Sequence, residues 1–395
     1  MGGVSKDQII KMITNKEGLA DKIIKNLDLS GLSLDGADFS GAKLINCSLS
    51  FSSLKSAIFS QTYIKGVDFS DSNCEEANFS NADISATTFL NARLNQAKFT
   101  NGTIIDTLFL GAVLKKCSFS GASLEGVNFT EVLAAGVNLE SCIVKHSNFW
   151  RADLTGSNLR GGIIKKTNLE NAILNYSDFS GAQLADTKLY GAELAEASIS
   201  GTDFGDELYY EKDQVIQENS AGKKIIGKDF SKAMQVYKAI IDNYIKAGNY
   251  CEARIFYIRF MDALKHKCFY EAKIGKWLVF YLWRKICLYG ENVARFFKMT
   301  IGQLVFFAFL YYGIIFFLQK KEGLYSTASD GIISALLSIS GGSIISSGNI
   351  SDLLSFFEPA AVIQVMILYA LTGAFMTILA RKMFLSNGRN YDETQ

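Results

Sequence analysis

The residues best suited to chemistry lie near the C-terminal end of the 395-residue chain. From Gly331 to Ser351 the sequence carries no charge, yet it is rich in serine and glycine. Its first half has helical spacing. Its second half, Ser343, Ile344, Ile345, Ser346, Ser347, Gly348 and Asn349, reads as extended, and the Gly341-Gly342 pair before it suits a bend. Serine hydroxyls and backbone carbonyls are oxygen donors that stand in for water around a cation. Little else in the chain is reactive. There are two histidines, His146 and His266, and seven cysteines, at 47, 74, 117, 142, 251, 268 and 287, with no close pair. No nucleophile–base pair, phosphate loop or metal-ligand cluster is visible, so an enzyme is not expected and no cofactor or metal is implied.

Such a segment needs elements to hold it. Residues 299–319 and 359–380 carry no charge. As helices they would extend about 32–33 Å, against a bilayer core of about 30 Å. Two spans are therefore predicted, Met299–Leu318 and Pro359–Ala380, with Pro359 in a first turn, where proline is tolerated. Arg295 and Lys298 precede the first span, and Arg381 and Lys382 follow the second. The loop between them sets only Lys320 and Lys321 against Glu322, Asp330, Asp352 and Glu358. This asymmetry predicts a multi-pass protein of the cell inner membrane with both termini cytoplasmic. Irregular backbone at membrane depth is tolerated only when it is buried in protein or lines water.

Span, half-helix, extended Ser/Gly strand, span: over 299–384 this order resembles the pore domain of two-transmembrane potassium-type channels. Leu337-Ser338 stands where those channels often have Phe-Ser, and Ser343–Asn349 then falls on their filter sequence. The resemblance implies a homotetramer conducting a monovalent cation. Ser343 to Asn349 would form the filter, Glu358, Gly341 and Gly342 would support it, and Gln364, Thr372, Gly373 and Thr377 would provide inner-helix lining and hinge. Ser346 in a glycine place and Ile344 in a threonine place depart from the pattern, which implies an altered filter not bound to potassium. The alternative is a re-entrant packing element that does not conduct, on a membrane-tethered scaffold.

The larger part of the chain follows a different rule. From Leu29, every fifth residue through Phe204 is apolar: 36 positions, of which 34 are Leu, Ile, Val or Phe and the others Cys74 and Ala134. A second track two residues earlier holds small residues such as Ala37, Ala42, Cys47, Ser52 and Ala57. Neither a 3.6 nor a 2.0 period fits. A five-residue unit that turns a corner each time keeps both tracks inward. Phenylalanine recurs at 39, 59, 79, 99 and 119 and at 69, 89, 109, 129 and 149, which predicts a 20-residue coil with Phe stacked on Phe along two opposite walls. Quintets such as Ala37-Asp38-Phe39-Ser40-Gly41 and Ala152-Asp153-Leu154-Thr155-Gly156 resemble the pentapeptide-repeat family. That resemblance implies a right-handed quadrilateral β-helix of about nine coils over 25–205. Four cysteines on the two tracks then have a packing role.

Other segments complete the plan. Residues 1–24 read as a helical cap opened by the capping box Ser5-x-x-Gln8. Residues 206–298 form an α-helical connector: a polar linker over 206–228, a hairpin broken at Gly248-Asn249 that packs on the rod or on another subunit, and an interfacial helix within 273–289, where aromatic residues mix with Lys273, Lys276, Arg284 and Lys285. Residues 385–395 are a polar tail. The rod has 14 basic and 19 acidic side chains, and the connector 17 and 11. A mildly acidic rod gives no footprint for nucleic acid. It leaves a cytoplasmic protein partner as the expected occupant of the β-helix surface.

Overall fold

A five-residue corner works only if each coil satisfies the backbone of the next, and the computed structural model shows how it does so. It describes residues 5–15, 18–206, 208–212, 215–218 and 224–288, and single positions at 294, 297, 298, 301, 302, 305 and 309. One wall is a parallel sheet of eight three-residue strands in sequence order: β1 Ile23–Lys25, β2 Lys43–Ile45, β3 Tyr63–Lys65, β4 Asp83–Ser85, β5 Thr103–Ile105, β6 Ser123–Glu125, β7 Ile143–Lys145 and β8 Ile163–Lys165. Register partners are 20 residues apart, as in Ile24↔Leu44. Parallel bridges at Asp28↔Ser48, Ser33↔Ser53 and Asp38↔Ile58 start three further ladders, so each coil has four walls. The strands enclose seven full turns, and bridges carry the same wall on through Gln183 to Asp203.

The corner follows from the quintet. In Leu54–Ala57, the Ala57 N–H donates to the Leu54 carbonyl at 3.0 Å, while Ser56 between them has φ 54°. Glycine meets this left-handed demand at Gly41 and Gly121, with φ +67° and +68°. At many other corners Asn, Asp, Ser, Glu or even Phe51 and Arg151 adopt it, so glycine is used but is not required. A non-glycine residue there costs on the order of 1 kcal/mol, tolerated because the ladder on each side over-determines it. The Asp or Asn after the small residue also has a task. Asp38 Oδ1 accepts from the Ser40 N–H at 2.9 Å, and Asn78 Oδ1 from the Ser80 N–H at 3.1 Å.

Inside, the two phenylalanine columns stack as their spacing predicts. Rings one coil apart lie 4.6–4.9 Å centroid to centroid and nearly parallel. Rings of facing columns meet edge to face, at 5.7–6.1 Å. The stacking distance equals the strand spacing of about 4.8 Å, so backbone and core share one repeat. Cys47, Cys74, Cys117 and Cys142 are buried in this core. Burial pushes the thiols of Cys74, Cys117 and Cys142 up to about 12.

Both ends of the stack are covered. At the start, α1 (Lys6–Thr14) is opened by the predicted capping box, with Gln8 Oε1 accepting from Ser5 N–H at 2.8 Å and Ser5 Oγ from Gln8 N–H at 3.3 Å. Its Ile9 is fully buried in the same core as Leu19. At the far end lie α2 (Phe230–Lys246) and α3 (Tyr250–Tyr270); one unit with the solenoid, Met1–Lys267, takes in α2 and all but the last three residues of α3. Asp229 caps α2 by accepting from Lys232 N–H. The hairpin packs on the rod. The compact unit runs past the expected boundary at 206, to Lys267.

The stretch 206–228 also corrects the expectation of a polar linker. It contains a 3-10 turn, Tyr209–Glu211, and an antiparallel pair, β9 (Val215–Glu218) with β10 (Lys224–Gly227). Apolar Val215, Ile216, Ile225 and Ile226 form strands, and the polar residues around them masked that pattern. The second unit, Cys268–Gln395, contains α4 (Ile274–Cys287). Among the described residues no helix is long and apolar enough to cross a membrane.

Two outcomes test this packing. Phe99→Ala removes a ring held by four others and should destabilise the solenoid by about 3–5 kcal/mol, read from denaturant melts of the purified chain. At pH 8 the exposed Cys251 should react readily with a thiol reagent. Cys74, Cys117 and Cys142 should stay protected until the chain unfolds, because the reactive thiolate is suppressed at their raised pKa.

Candidate functional site

The sequence-predicted pore residues, Ser343 to Asn349, Gly341, Gly342, Glu358, Gln364, Thr372, Gly373 and Thr377, lie outside the described residues. So do the second span, the loop between the spans and most of the first. The described part of the chain places polar groups together elsewhere, at the covered C-terminal end of the solenoid.

The last coil would present free carbonyls, and the helical hairpin supplies donors for them. Asn243 Nδ2 donates to the Leu194 carbonyl at 2.6 Å, the Tyr244 hydroxyl to Ile199 at 2.8 Å and Arg259 Nη1 to Gly205 at 2.6 Å. Phe256 meets Phe204 edge to face at 5.4 Å and stacks on Tyr244 at 5.6 Å. Burial raises the Tyr244 phenol to about 12.

Leaving the last coil, the chain turns back along one side of the rod as the segment 208–212. Tyr210 is the pin. Its hydroxyl donates to Glu170 Oε1 at 2.6 Å and accepts from the Tyr190 N–H at 3.1 Å. Burial, and then the Glu170 carboxylate, push this phenol far above its ordinary range. Tyr237 donates to Glu211 Oε2 at 2.5 Å, and burial, then the Glu211 charge, shift it the same way. Lys212 pairs with Asp186, and Lys188 Nζ sits 4.8 Å over the Tyr209 ring.

Between this return segment and the rod is a cleft of about 460 Å³. Its lining comes from two neighbouring columns of the solenoid, His146, Lys166 and Asp186 at a corner and Asn148, Asn168 and Lys188 on the adjoining wall, together with Tyr209 and Lys212. The corner residues His146, Lys166 and Asp186 have positive φ, which aims three successive coils the same way. Sequence analysis did not single these residues out. A signal exists in hindsight: Lys145 and Lys165 stand one coil apart, so the 20-residue repeat stacks cation on cation beside the corner.

Family models match pentapeptide repeats, eight copies, at residues 25–61, 135–171 and 163–201, and a pentapeptide repeat region at 52–129. Among solved structures, HetL, a pentapeptide repeat protein involved in heterocyst differentiation regulation in the cyanobacterium Nostoc, is 22% identical; the match covers 51% of this chain and 95% of HetL, with a TM-score of 0.26. QnrB1, a plasmid-mediated fluoroquinolone resistance protein, is 21% identical over 45% of this chain and 91% of its own, TM-score 0.26. A pentapeptide repeat protein from the Arabidopsis thaliana thylakoid lumen is 22% identical over 40% and 68%, TM-score 0.11. No curated protein sequence matches.

The buried phenols make the covered end sensitive to base. Folding holds Tyr210, Tyr237 and Tyr244 neutral at a pH where the unfolded chain ionises them. Their contribution is complete below about pH 10, the unfolded phenol value, and is lost as pH rises toward the folded value. Stability should fall by about 1.4 kcal/mol per pH unit for each such tyrosine above that point. Tyr210→Phe should flatten the decline in melts run from pH 8 to 11.

Proposed function

We propose that this chain, a pentapeptide-repeat protein with its repeats between residues 25 and 201, is a membrane-attached scaffold whose residues 299–384 assemble into a tetrameric cation-conducting pore. Its solenoid would lie on the cytoplasmic side of the inner membrane, where it serves assembly, gating or partner docking.

The observation that carries the membrane reading is α4. Ile274, Leu278, Val279, Tyr281 and Leu282 are all exposed, at 39–66%, an arrangement costly in water. Trp277 stacks on Tyr281 at 5.4 Å and lies 5.7 Å from Phe269, while Lys273, Arg284 and Lys285 stand at the ends. Apolar and aromatic groups with terminal cations suit a helix lying at a bilayer surface. The uncharged run 299–319 follows. The pore reading adds to this the uncharged Ser/Gly segment set between two uncharged runs. In it, Ser343 to Asn349 line the conduction path, with Glu358, Gly341 and Gly342 behind them and Gln364, Thr372, Gly373 and Thr377 on the inner helix.

A second reading, a tethered scaffold without conduction, is favoured by exposed apolar groups on the corners and walls of the solenoid. Phe51 is 70% exposed, Leu108 47% and Leu133 46%, which suits a surface that docks protein.

Ion flux through liposomes holding the purified chain separates the two. Cation flux is expected, abolished by Ser343→Leu or Ser346→Leu, with a detergent-corrected mass of four copies. Silence across voltage, calcium and pH, together with a monomer or dimer, selects the scaffold. Flux that survives both substitutions removes the filter assignment.

A further inference from the structure

The cleft beside the return segment has no part in a pore, and its chemistry is specific. Three ammonium groups, from Lys166, Lys188 and Lys212, line it together with one carboxylate, Asp186. Asp186 is committed to Lys212, and among the described residues no carboxylate pairs with Lys166 or Lys188. The site therefore carries an excess of two positive charges on a rod that is acidic as a whole. Outside it, Lys145 and Lys165 are register partners on successive coils and add to the local positive field. Like charges set side by side in a ladder are destabilising, and a bound anion relieves them.

We propose that this cleft binds a phosphate-bearing small molecule. The donors decide the class. The lysines come from the corner column, the wall and the return segment, with Asn168 beside them. Lysine ammonium groups bind phosphate as point charges, and those of Lys166, Lys188 and Lys212 line this cleft. The volume decides the size. About 460 Å³ is far larger than one phosphate group and falls in the range of small-molecule sites. The remainder of the ligand lies against Tyr209 and Thr167. Tyr209 and Lys212 belong to the same return segment that Tyr210 pins to Glu170, so the ligand joins that segment to the coils beneath it.

The phosphate could be carried by a soluble metabolite or by a lipid headgroup, and the test has an arm for each. Full-length protein in detergent is titrated calorimetrically with inorganic phosphate and, separately, with dioctanoyl phosphatidic acid. The wild type should bind one molecule per chain. Lys166→Gln, an exposed change that leaves packing intact, should weaken binding roughly tenfold, the worth of one charge-assisted contact, and adding Lys188→Gln should weaken it further. Lys115→Gln with Lys116→Gln, on the same rod away from the cleft, should leave it unchanged. Binding of inorganic phosphate assigns a soluble ligand, and binding of the lipid alone assigns a headgroup. The proposal is overturned if neither probe binds, if Lys166→Gln with Lys188→Gln binds as the wild type does, or if the Lys115 and Lys116 changes weaken binding equally. The outcome does not depend on whether residues 299–384 conduct.

Discussion

The hydrogen bond from one coil to the next is the constraint on which the solenoid depends. A five-residue side closes only its corner locally, as Ala57 N–H does on Leu54, so most of its other N–H groups must find a carbonyl about 20 residues away. Phe59 N–H reaches Asn78, and Ser48 N–H reaches Leu27, at 2.7 and 2.9 Å. This rule forbids insertions, because one extra residue would turn every inward side chain outward. It also sets the ring spacing, since a phenylalanine column can repeat only where the backbone does. A coil satisfied on both sides is stable only as part of a stack, so the two ends are where the design is exposed.

The ends are managed by different means. At the start, α1 lays Ile9 in the same buried core as Leu19. At the far end, the hairpin supplies side-chain donors from Asn243, Tyr244 and Arg259 to the carbonyls of the last coils. An aliphatic face of α2 would have covered the core and left those carbonyls dry and unpaired, at about 1–3 kcal/mol each. Asn243, a polar residue on an otherwise apolar face with Val236, Ile240 and Tyr244, is explained by this demand.

How much of this was legible in the sequence varies with the range of the interactions. The quintet register was legible because its signal repeats, and Phe39 to Phe149 show both the coil length and the opposed walls. The helices of the hairpin were legible because Gly248 and the apolar spacing from Val236 to Ile245 are local signals. The left-handed corners were legible only at glycines such as Gly41 and Gly121. At Phe51 or Arg151 nothing local announces a positive φ, which neighbouring coils impose. The pair β9–β10 was hidden by the polar residues around two short apolar runs. The cleft was least legible, because Lys212 meets Asp186, and Tyr209 meets Lys188, only once the chain has left the rod and turned back. The pore-loop residues lie beyond the described part of the chain, and their reading still rests on residue types and charge.

The return segment ties the end cover to the cleft. To place α2 over the last coil, the chain must leave Phe204 and double back, and residues 208–212 make that turn against the side of the rod. Burying Tyr210 there removes a phenol from water, a cost met only by partners on the rod, and Glu170 and the Tyr190 N–H provide them. The same geometry carries Tyr209 and Lys212 over the corner column of His146, Lys166 and Asp186. Lys212 closes on Asp186 and Lys188 on the Tyr209 ring, so the cleft lies where a structural turn had to pass a charged corner of the rod.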